Sequence, residues 1–326
     1  MQRSAPDFSA RGPYAVGVLQ TDIVSPYTAE GASDSGRSLP TEIWYPAESG
    51  QFESEDAAHP MGVRHWATTG LSPNRSADTP CGLIAFSHGN SGLRQQSTFL
   101  TTHLASWGFV VVAPDHVGNT FSEMMALPDE DARQSTHRRI RSLRPFDLHA
   151  VIQSLLDAGH LSKELPPLDP ERLGVLGHSF GGWTALKVLA LESRVRAVCC
   201  LAPASEPFVG RKAFAVGELP LPERAKSLVL AARDDVLVDL ETSIRPLSDR
   251  LGAHSRLEII DRADHFHFCD AIEMLHGMHE QNPRENQLHP TRPMAELRDE
   301  RDMHTLLNER VTRFFAEHLG MMEIRP

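Results

Sequence analysis

The sequence predicts an α/β fold, a mostly parallel central sheet with helices on both faces. Two features carry this expectation. From residue 83 onward, short and wholly apolar runs alternate with helix-compatible stretches, as strands do when both sheet faces are covered and helical crossovers join them. One such run ends in Gly177-His178-Ser179-Phe180-Gly181-Gly182, with glycines at the point where a strand would fold directly into a helix.

Residues 1–13 read as a loose arm. Ala15 to Val24 and Leu39 to Tyr45 alternate like strands, and the Gly/Ser-rich stretch 31–38 between them suggests an antiparallel start to the sheet. Residues 47–80 are polar and turn-rich, with one apolar patch around Trp66. The crossover pattern then begins: strand Leu83–Phe86, loop Ser87-His88-Gly89-Asn90-Ser91-Gly92, a helix to about Trp107, and strand Phe109–Pro114. A helix is expected from Pro145 to Ala158, with Phe146, Val151, Leu155 and Leu156 as its apolar side, followed by a turn at Leu168–Glu171. Strand Leu173–Leu176 leads to a helix over Trp183–Leu191. Strands Val195–Leu201, Ser227–Ala231 and Leu257–Ile260 follow, and an amphipathic helix Leu306–Leu319 closes the chain. No composition break divides residues 1–326, so one domain is expected. The stretches 115–143, 203–225 and 266–303 exceed tight connections and should be excursions that shape a site.

Composition excludes several classes. With 40% hydrophobic and 23% charged residues, the chain is neither a coiled coil, nor collagen-like, nor wholly disordered. Lys and Arg number 32 against 43 Asp and Glu, and the net charge of −11 repels phosphate backbones, so no nucleic-acid partner is expected. Arg138, Arg139, Arg141 and Arg144 are a local exception, read as a basic helix surface paired with acids or, alternatively, as a patch for an anionic ligand. No run approaches the length of a membrane span, and the first twenty residues lack a signal-type apolar segment, so a cytoplasmic location is expected. Cys81, Cys199, Cys200 and Cys269 form no repeated CxxC spacing, which predicts neither a disulfide scaffold nor structural zinc.

The hexapeptide is a candidate nucleophile elbow: small residues at 177 and 181 let the backbone pass itself while Ser179 is held strained, its hydroxyl above the sheet. A serine needs a base, and His265, just after the Leu257–Ile260 strand, is the candidate, with His267 as competitor. His178 lies too near in sequence to turn inward easily. The base needs an orienting acid. Asp235 follows the Ser227–Ala231 strand at a distance that lets it turn back, whereas Asp234 is expected to cap a turn or pair with Arg233. The N–H of Phe180 and that of Asn90 are the candidate oxyanion donors, with His88 bracing their loop.

With those motifs in place, the segments GPYAVGV, LPTEIWYP, FSHGNSG, GHSFGG, AARDD and DHFHF, spread over about residues 12–320, resemble the dienelactone-hydrolase-like α/β-hydrolases and their platelet-activating-factor acetylhydrolase-like relatives. The resemblance implies an α/β-hydrolase fold and a serine esterase that needs no cofactor and no metal. It carries the nucleophile to Ser179, the base to His265 and the hole amides to Asn90 and Phe180. In the acetylhydrolase-like branch the acid follows the strand after the nucleophile helix. Here that place reads Leu201-Ala202-Pro203-Ala204, so the acid goes to Asp235, the position of the wider superfamily. Authentic dienelactone hydrolases use cysteine where this chain has Ser179.

The expected activity is hydrolysis of small to medium, partly hydrophobic esters, small-molecule substrates for which Phe121, Met124, Met125 and Leu127 could form an apolar wall. The rivals are an amidase or peptidase on the same groups, a short-acyl phospholipid acetylhydrolase, and a ligand-binding protein without catalysis. A metal hydrolase is a further rival, because Asp264, His265, His267, Cys269 and Asp270 are dense in donors and an extended chain would point His265, His267 and Cys269 the same way.

Overall fold

The computed structural model describes residues 6–28, 31–54, 62, 65–75, 80–159, 161–210, 213–281 and 290–320. Among them the apolar runs pair into one nine-stranded sheet: β1 (Val16–Thr28), β2 (Gly31–Pro46), β3 (Thr68–Thr69), β4 (Cys81–Ser87), β5 (Val110–Pro114), β6 (Leu168–His178), β7 (Val195–Leu201), β8 (Lys226–Ala232) and β9 (Ser255–Ile260). The spatial order is β3-β1-β2-β5-β4-β6-β7-β8-β9. β2 runs antiparallel to β1 and to β5, and every pair from β5 to β9 is parallel. The helices are α1 (Thr98–Ser106), α2 (Phe121–Met125), α3 (Glu130–Leu156), α4 (Phe180–Val188), α5 (Glu206–Val209), α6 (Arg245–Leu251), α7 (Ile272–Gln281) and α8 (Glu300–His318).

The central strands β4 and β5 are buried along their whole length because both faces of the sheet are covered there. Leu83 and Ala85 of β4 join Val151, Ile152 and Leu155 of α3, Leu186 of α4 and Leu251 of α6 in one core. Ile84 and Phe86 point the other way, into a second core with Leu100 and Leu104 of α1 and Val311 and Phe315 of α8. The same alternation sends adjacent Cys199 and Cys200 to opposite faces. This is the α/β-hydrolase architecture expected from the sequence, and no helix among the described residues is long and apolar enough to cross a membrane.

Several boundaries differ from expectation. The Gly/Ser-rich stretch is not a connection: β2 begins at Gly31, and the strand pairing continues past a register irregularity between Ser25 and Tyr27. Pairing uses backbone groups, so a strand can run on beyond its apolar residues. Leu168–Glu171 likewise belongs to β6 rather than to a turn. Pro145 does not start its helix. α3 begins at Glu130, where the Asp129 carboxylate accepts from Ala132 N–H and Glu130 and Asp131 favour the helix N-terminus, so together with α2 it makes most of the 115–143 excursion helical. α4 starts at Phe180 and α8 at Glu300, each earlier than expected. The arm is not loose over its described part. Phe8 is fully buried, its ring 4.7 Å from that of Trp107, and Arg11 pairs with Glu53 at 2.5 Å. Residues 1–5 lie outside the described residues, as do parts of the 47–80, 203–225 and 266–303 stretches.

The backbone passes close to itself at the β6–α4 junction. A Cβ on Gly181 would overlap the Ser87 carbonyl, and one on Gly177 would overlap the carbonyl of Gly181, backbone obstacles that no rotamer can relieve. Gly181→Ala should therefore lower unfolding stability by more than about 3 kcal/mol in urea titrations, if the variant accumulates at all. Gly277→Ala, on α7 with nothing within 4 Å of its added Cβ, should be neutral or stabilising by up to about 1 kcal/mol. Similar effects at the two positions would contradict the close-approach account.

Candidate active site

β6 ends at His178 and α4 begins at Phe180, so Ser179 alone makes the reversal, at φ 54° and ψ −119°. A non-glycine residue pays strain there, and the surroundings must hold it. Ser179 N–H donates to the Leu201 carbonyl at 2.8 Å, and the Ser179 carbonyl accepts from Ala204 N–H at 2.8 Å and Gly182 N–H at 2.9 Å. The residue stays 8% exposed at the carboxyl edge of the sheet.

Of the candidate acids and bases, the structure brings together Asp235 and His265. His265 Nδ1 lies 2.7 Å from Asp235 Oδ2, while Asp235 Oδ1 accepts from Leu237 and Val238 N–H, both at 2.8 Å. With a carboxylate facing Nδ1, the ring proton sits on Nδ1 and Nε2 is left as an acceptor. Asp234 is turned elsewhere. It accepts from Arg292 at 3.1 Å rather than pairing with Arg233, which instead holds Asp261. His267 is occupied as well: its Nδ1 accepts from Asp264 N–H at 3.1 Å, and its Nε2 donates to the Arg298 carbonyl at 3.2 Å.

His178 does turn inward, against the expectation from its position. It is buried, its ring 4.7 Å from that of His265. Gln96 explains how. The Gln96 amide donates to His178 Nδ1 at 2.8 Å and accepts from Gly89 N–H at 2.8 Å, which leaves His178 Nε2–H to donate to the His265 carbonyl at 3.1 Å. Burial, and then the nearby His265, push His178 well below the ordinary imidazole range, so this link is neutral. Among the described residues Ser179 Oγ itself has no hydrogen-bond partner, and His178 is the tie between the elbow and the His265 loop.

The donor-rich segment after Asp264 is a short 3₁₀ turn, His265–Phe268, not an extended chain, so its side chains diverge. Cys269 Sγ lies 3.8 Å from His178, and Asp270 accepts from Thr98 N–H at 2.6 Å and Phe99 N–H at 3.0 Å, capping α1. Each donor of the proposed metal cluster is thus committed to a different neighbour, and the shared side it required is not formed.

On the opposite wall, Gly89 N–H is taken by Gln96, whereas the N–H groups of Asn90 and Phe180 have no acceptor among the described residues. His88 fixes the loop, its Nδ1 donating to the Gly89 carbonyl at 2.7 Å and its Nε2 accepting from His116 N–H at 3.1 Å. The expected apolar wall is only partly available. Phe121 and Met125 are 49% and 56% exposed, Leu127 is half-buried, and Met124 packs inward at 4%. Phe121 is tied to the Asn90 loop by its N–H bond to the Gly92 carbonyl at 3.0 Å.

Sequence reasoning missed Gln96 and misplaced Arg144, which is fully buried rather than part of a basic surface. A signal existed for Arg144: it falls on the same face of α3 as Ile140, Leu148, Val151 and Leu155, a charge in an apolar stripe. Arg138 and Arg139 are exposed, and Arg141 donates to the Val209 carbonyl.

Behind the acid–base pair, the buried Asp264 carboxylate lies 3.3 Å from His276 Nδ1, while His276 Nε2 faces the Arg292 carbonyl at 2.8 Å. Both His276 nitrogens therefore face acceptors, which suits an imidazolium. The Asp264 contact raises His276 against the opposing effect of burial. For Asp264, burial is outweighed by His276 and by the His265 N–H, which hold it below the usual carboxylate range. A raised histidine stabilises below its unfolded value and loses that contribution as pH rises through the folded one. A depressed carboxyl stabilises above its unfolded value and loses that contribution as pH falls. The pair is therefore worth most between about pH 4 and 6.5. His276→Gln should cost about 2–4 kcal/mol of unfolding free energy at about pH 5.5 and distinctly less at about pH 9, read from urea titrations. An equal or larger cost at the higher pH would contradict the charged pair.

Comparison with known proteins adds relatives to this geometry. A platelet-activating factor acetylhydrolase of Cavia porcellus is 26% identical over 238 residues, which cover 59% of this chain and 54% of the relative. A cutinase of Thermobifida alba is 32% identical over 166 residues, 50% of this chain and 49% of the relative. The chain spans about half the length of these curated relatives. A solved ferulic acid esterase from Streptomyces cinnamoneus superimposes with a TM-score of 0.69 over 99% of this chain and 97% of that one, at 21% identity, which is a likeness of fold. The profile of the PET hydrolase-like family matches residues 28–277, most of the strands and every segment of the site, and the chain belongs to that family of α/β-hydrolases.

Proposed function

We propose that the protein is a serine carboxylic-ester hydrolase that works through an acyl-enzyme intermediate. The observation that carries this reading is the 2.7 Å Asp235–His265 contact beside a strained serine, opposite two unpaired amides. Asp235 orients His265 so that Nε2 can take the Ser179 proton as Oγ attacks the ester carbon. The oxyanion that forms would be received by Asn90 and Phe180 N–H, the latter at the start of α4, where the helix N-terminus adds favourable potential. His265 then returns the proton to the departing alcohol, and water repeats the sequence to release the acid. Closure of Oγ onto Nε2 belongs to the substrate-bound state, since catalytic hydrogen bonds often tighten only there.

Relatives named as a cutinase and an acetylhydrolase support ester over amide chemistry. The exposed Phe121 and Met125 beside the Asn90 loop support a partly hydrophobic substrate of small to medium size. Each methylene held against such a wall contributes about 0.8 kcal/mol, nearly fourfold in rate when realised in the transition state. With only two exposed side chains, that gain should stop after a few carbons.

Ser179→Ala should lower kcat by at least ~10³-fold on p-nitrophenyl butyrate with its circular dichroism unchanged. Asp235→Asn should cost far more than Asp234→Asn. Near-normal turnover by Ser179→Ala, or an equal loss at the two aspartates, would sink the assignment. On wild type, kcat/KM should peak at about four to six acyl carbons. A maximum at about twelve or more, with activation at a lipid interface, would favour a lipolytic enzyme.

A further inference from the structure

Arg144 is a buried cation that makes no ion pair among the described residues. Its four hydrogen bonds all go to neutral acceptors: Asn119 Oδ1 at 2.7 Å, Ser87 Oγ at 3.0 Å, Thr184 Oγ1 at 3.0 Å and the His88 carbonyl. The guanidinium lies 4.6 Å from the centre of the Phe180 ring. Asp147, one helical turn away, is claimed by Arg37 at 2.7 Å and faces His116 at 3.2 Å, and among the described residues no carboxylate comes within ion-pair range of Arg144. Asp147 acts on Arg144 through space and opposes the effect of burial, but it is shared with Arg37, so two arginines and one carboxylate leave a net positive charge in this group.

What the four bonds hold is specific. His88 precedes Gly89 and Asn90, so its carbonyl anchors one amide-bearing loop. Asn119, held by Arg144, donates its own amide to Asn90 Oδ1 at 3.0 Å and so reaches the residue with the free N–H. Thr184 belongs to the first turns of α4 and donates to the Phe180 carbonyl at 2.9 Å, and the Phe180 ring lies over the guanidinium. One side chain thus grips both segments that carry the unpaired amides, which come from distant parts of the chain.

We propose that Arg144 is a positioning residue for the oxyanion hole: through His88, Asn119, Thr184 and Phe180 it sets the spacing of the Asn90 and Phe180 amides and places a positive charge behind them. This rests on the serine-hydrolase reading above. A buried charge is far more effective at such range than one in water, and it favours the transition state, in which the carbonyl oxygen turns anionic, over the neutral ground state. The electrostatic influence of Arg144 is already visible at His88 and His116. Both are pushed well below the ordinary imidazole range, by burial first and Arg144 second, and so remain neutral. Burial lowers Arg144 itself to about 9, so it stays charged at neutral pH.

The test separates this role from simple structural support. Arg144→Gln, Arg144→Lys and Asn119→Ala are assayed on p-nitrophenyl butyrate and with an alkyl trifluoromethyl ketone, whose adduct with Ser179 carries a true oxyanion. In Arg144→Gln, kcat should fall and the ketone inhibition constant should rise by a matching factor of about 10–100, with KM within about twofold. Arg144→Lys should recover part of both, because it keeps the charge without the fork. Asn119→Ala should lose about 3–10-fold in both, through a slackened Asn90 loop. If Arg144→Gln does not fold, the other two variants decide. Ketone affinity and kcat at wild-type levels in the folded variants, or a loss confined to KM or melting temperature, would overturn the proposal. A wild-type protein inert to both ester and ketone would instead overturn the serine-hydrolase reading, a result visible without any Arg144 variant.

Discussion

A strand that becomes a helix within one residue leaves no space for side chains at the crossing, and the site is organised around that constraint. Gly177 and Gly181 let α4 start against the Ser87 carbonyl, and the space they vacate is what allows Ser179 to sit at φ 54° with both its backbone groups bonded. The strain is offset by the sheet around it: Leu201 and Ala204, from the next strand and its exit, supply the partners. Because α4 begins immediately, its first amide lies beside the serine and has no intrahelical acceptor. The strained residue and the anion-receptive amide therefore have one geometric cause.

A second layer of the site consists of polar groups that are buried yet mostly neutral. His88, His116 and His178 each use ring nitrogens to fix a loop, and burial, foremost, keeps them uncharged. Burying an ion costs several kcal/mol, so a network of neutral imidazoles is a less costly way to tie loops together than salt bridges would be. Three of the buried ionisable groups sit next to the site: Asp235 behind His265, Asp264 against His276, and Arg144 beneath the two amide-bearing segments. Each is close enough to act on the site through one intervening group.

Most of the fold was legible because strands covered on both faces contain continuous apolar runs, as β4, β5, β7 and β8 do. The boundaries were less legible. The first half of α3 is polar because it lies over the surface, so only its cap at Asp129 announced it, and the Gly/Ser-rich start of β2 is held by backbone pairing that leaves no side-chain pattern. At the site, strand order and loop position predicted the chemistry-bearing residues one at a time. The ties between them were not visible, since Gln96, Asn119 and Arg144 act across separations of dozens of residues on partners that only the folded chain assembles. The inward turn of His178 was missed for the same reason: its partner Gln96 lies 82 positions earlier in the chain.

The central claim is that Ser179 is a nucleophile facing a hole formed by Asn90 and Phe180. Its most direct measurement is a crystal structure of the wild-type protein after reaction with an alkyl fluorophosphonate. The account predicts a single adduct on Ser179 Oγ, with the phosphoryl oxygen about 3 Å from both the Asn90 and Phe180 nitrogens. A native protein that resists the reagent, or an adduct on Ser179 whose phosphoryl oxygen points away from those two amides, would contradict it.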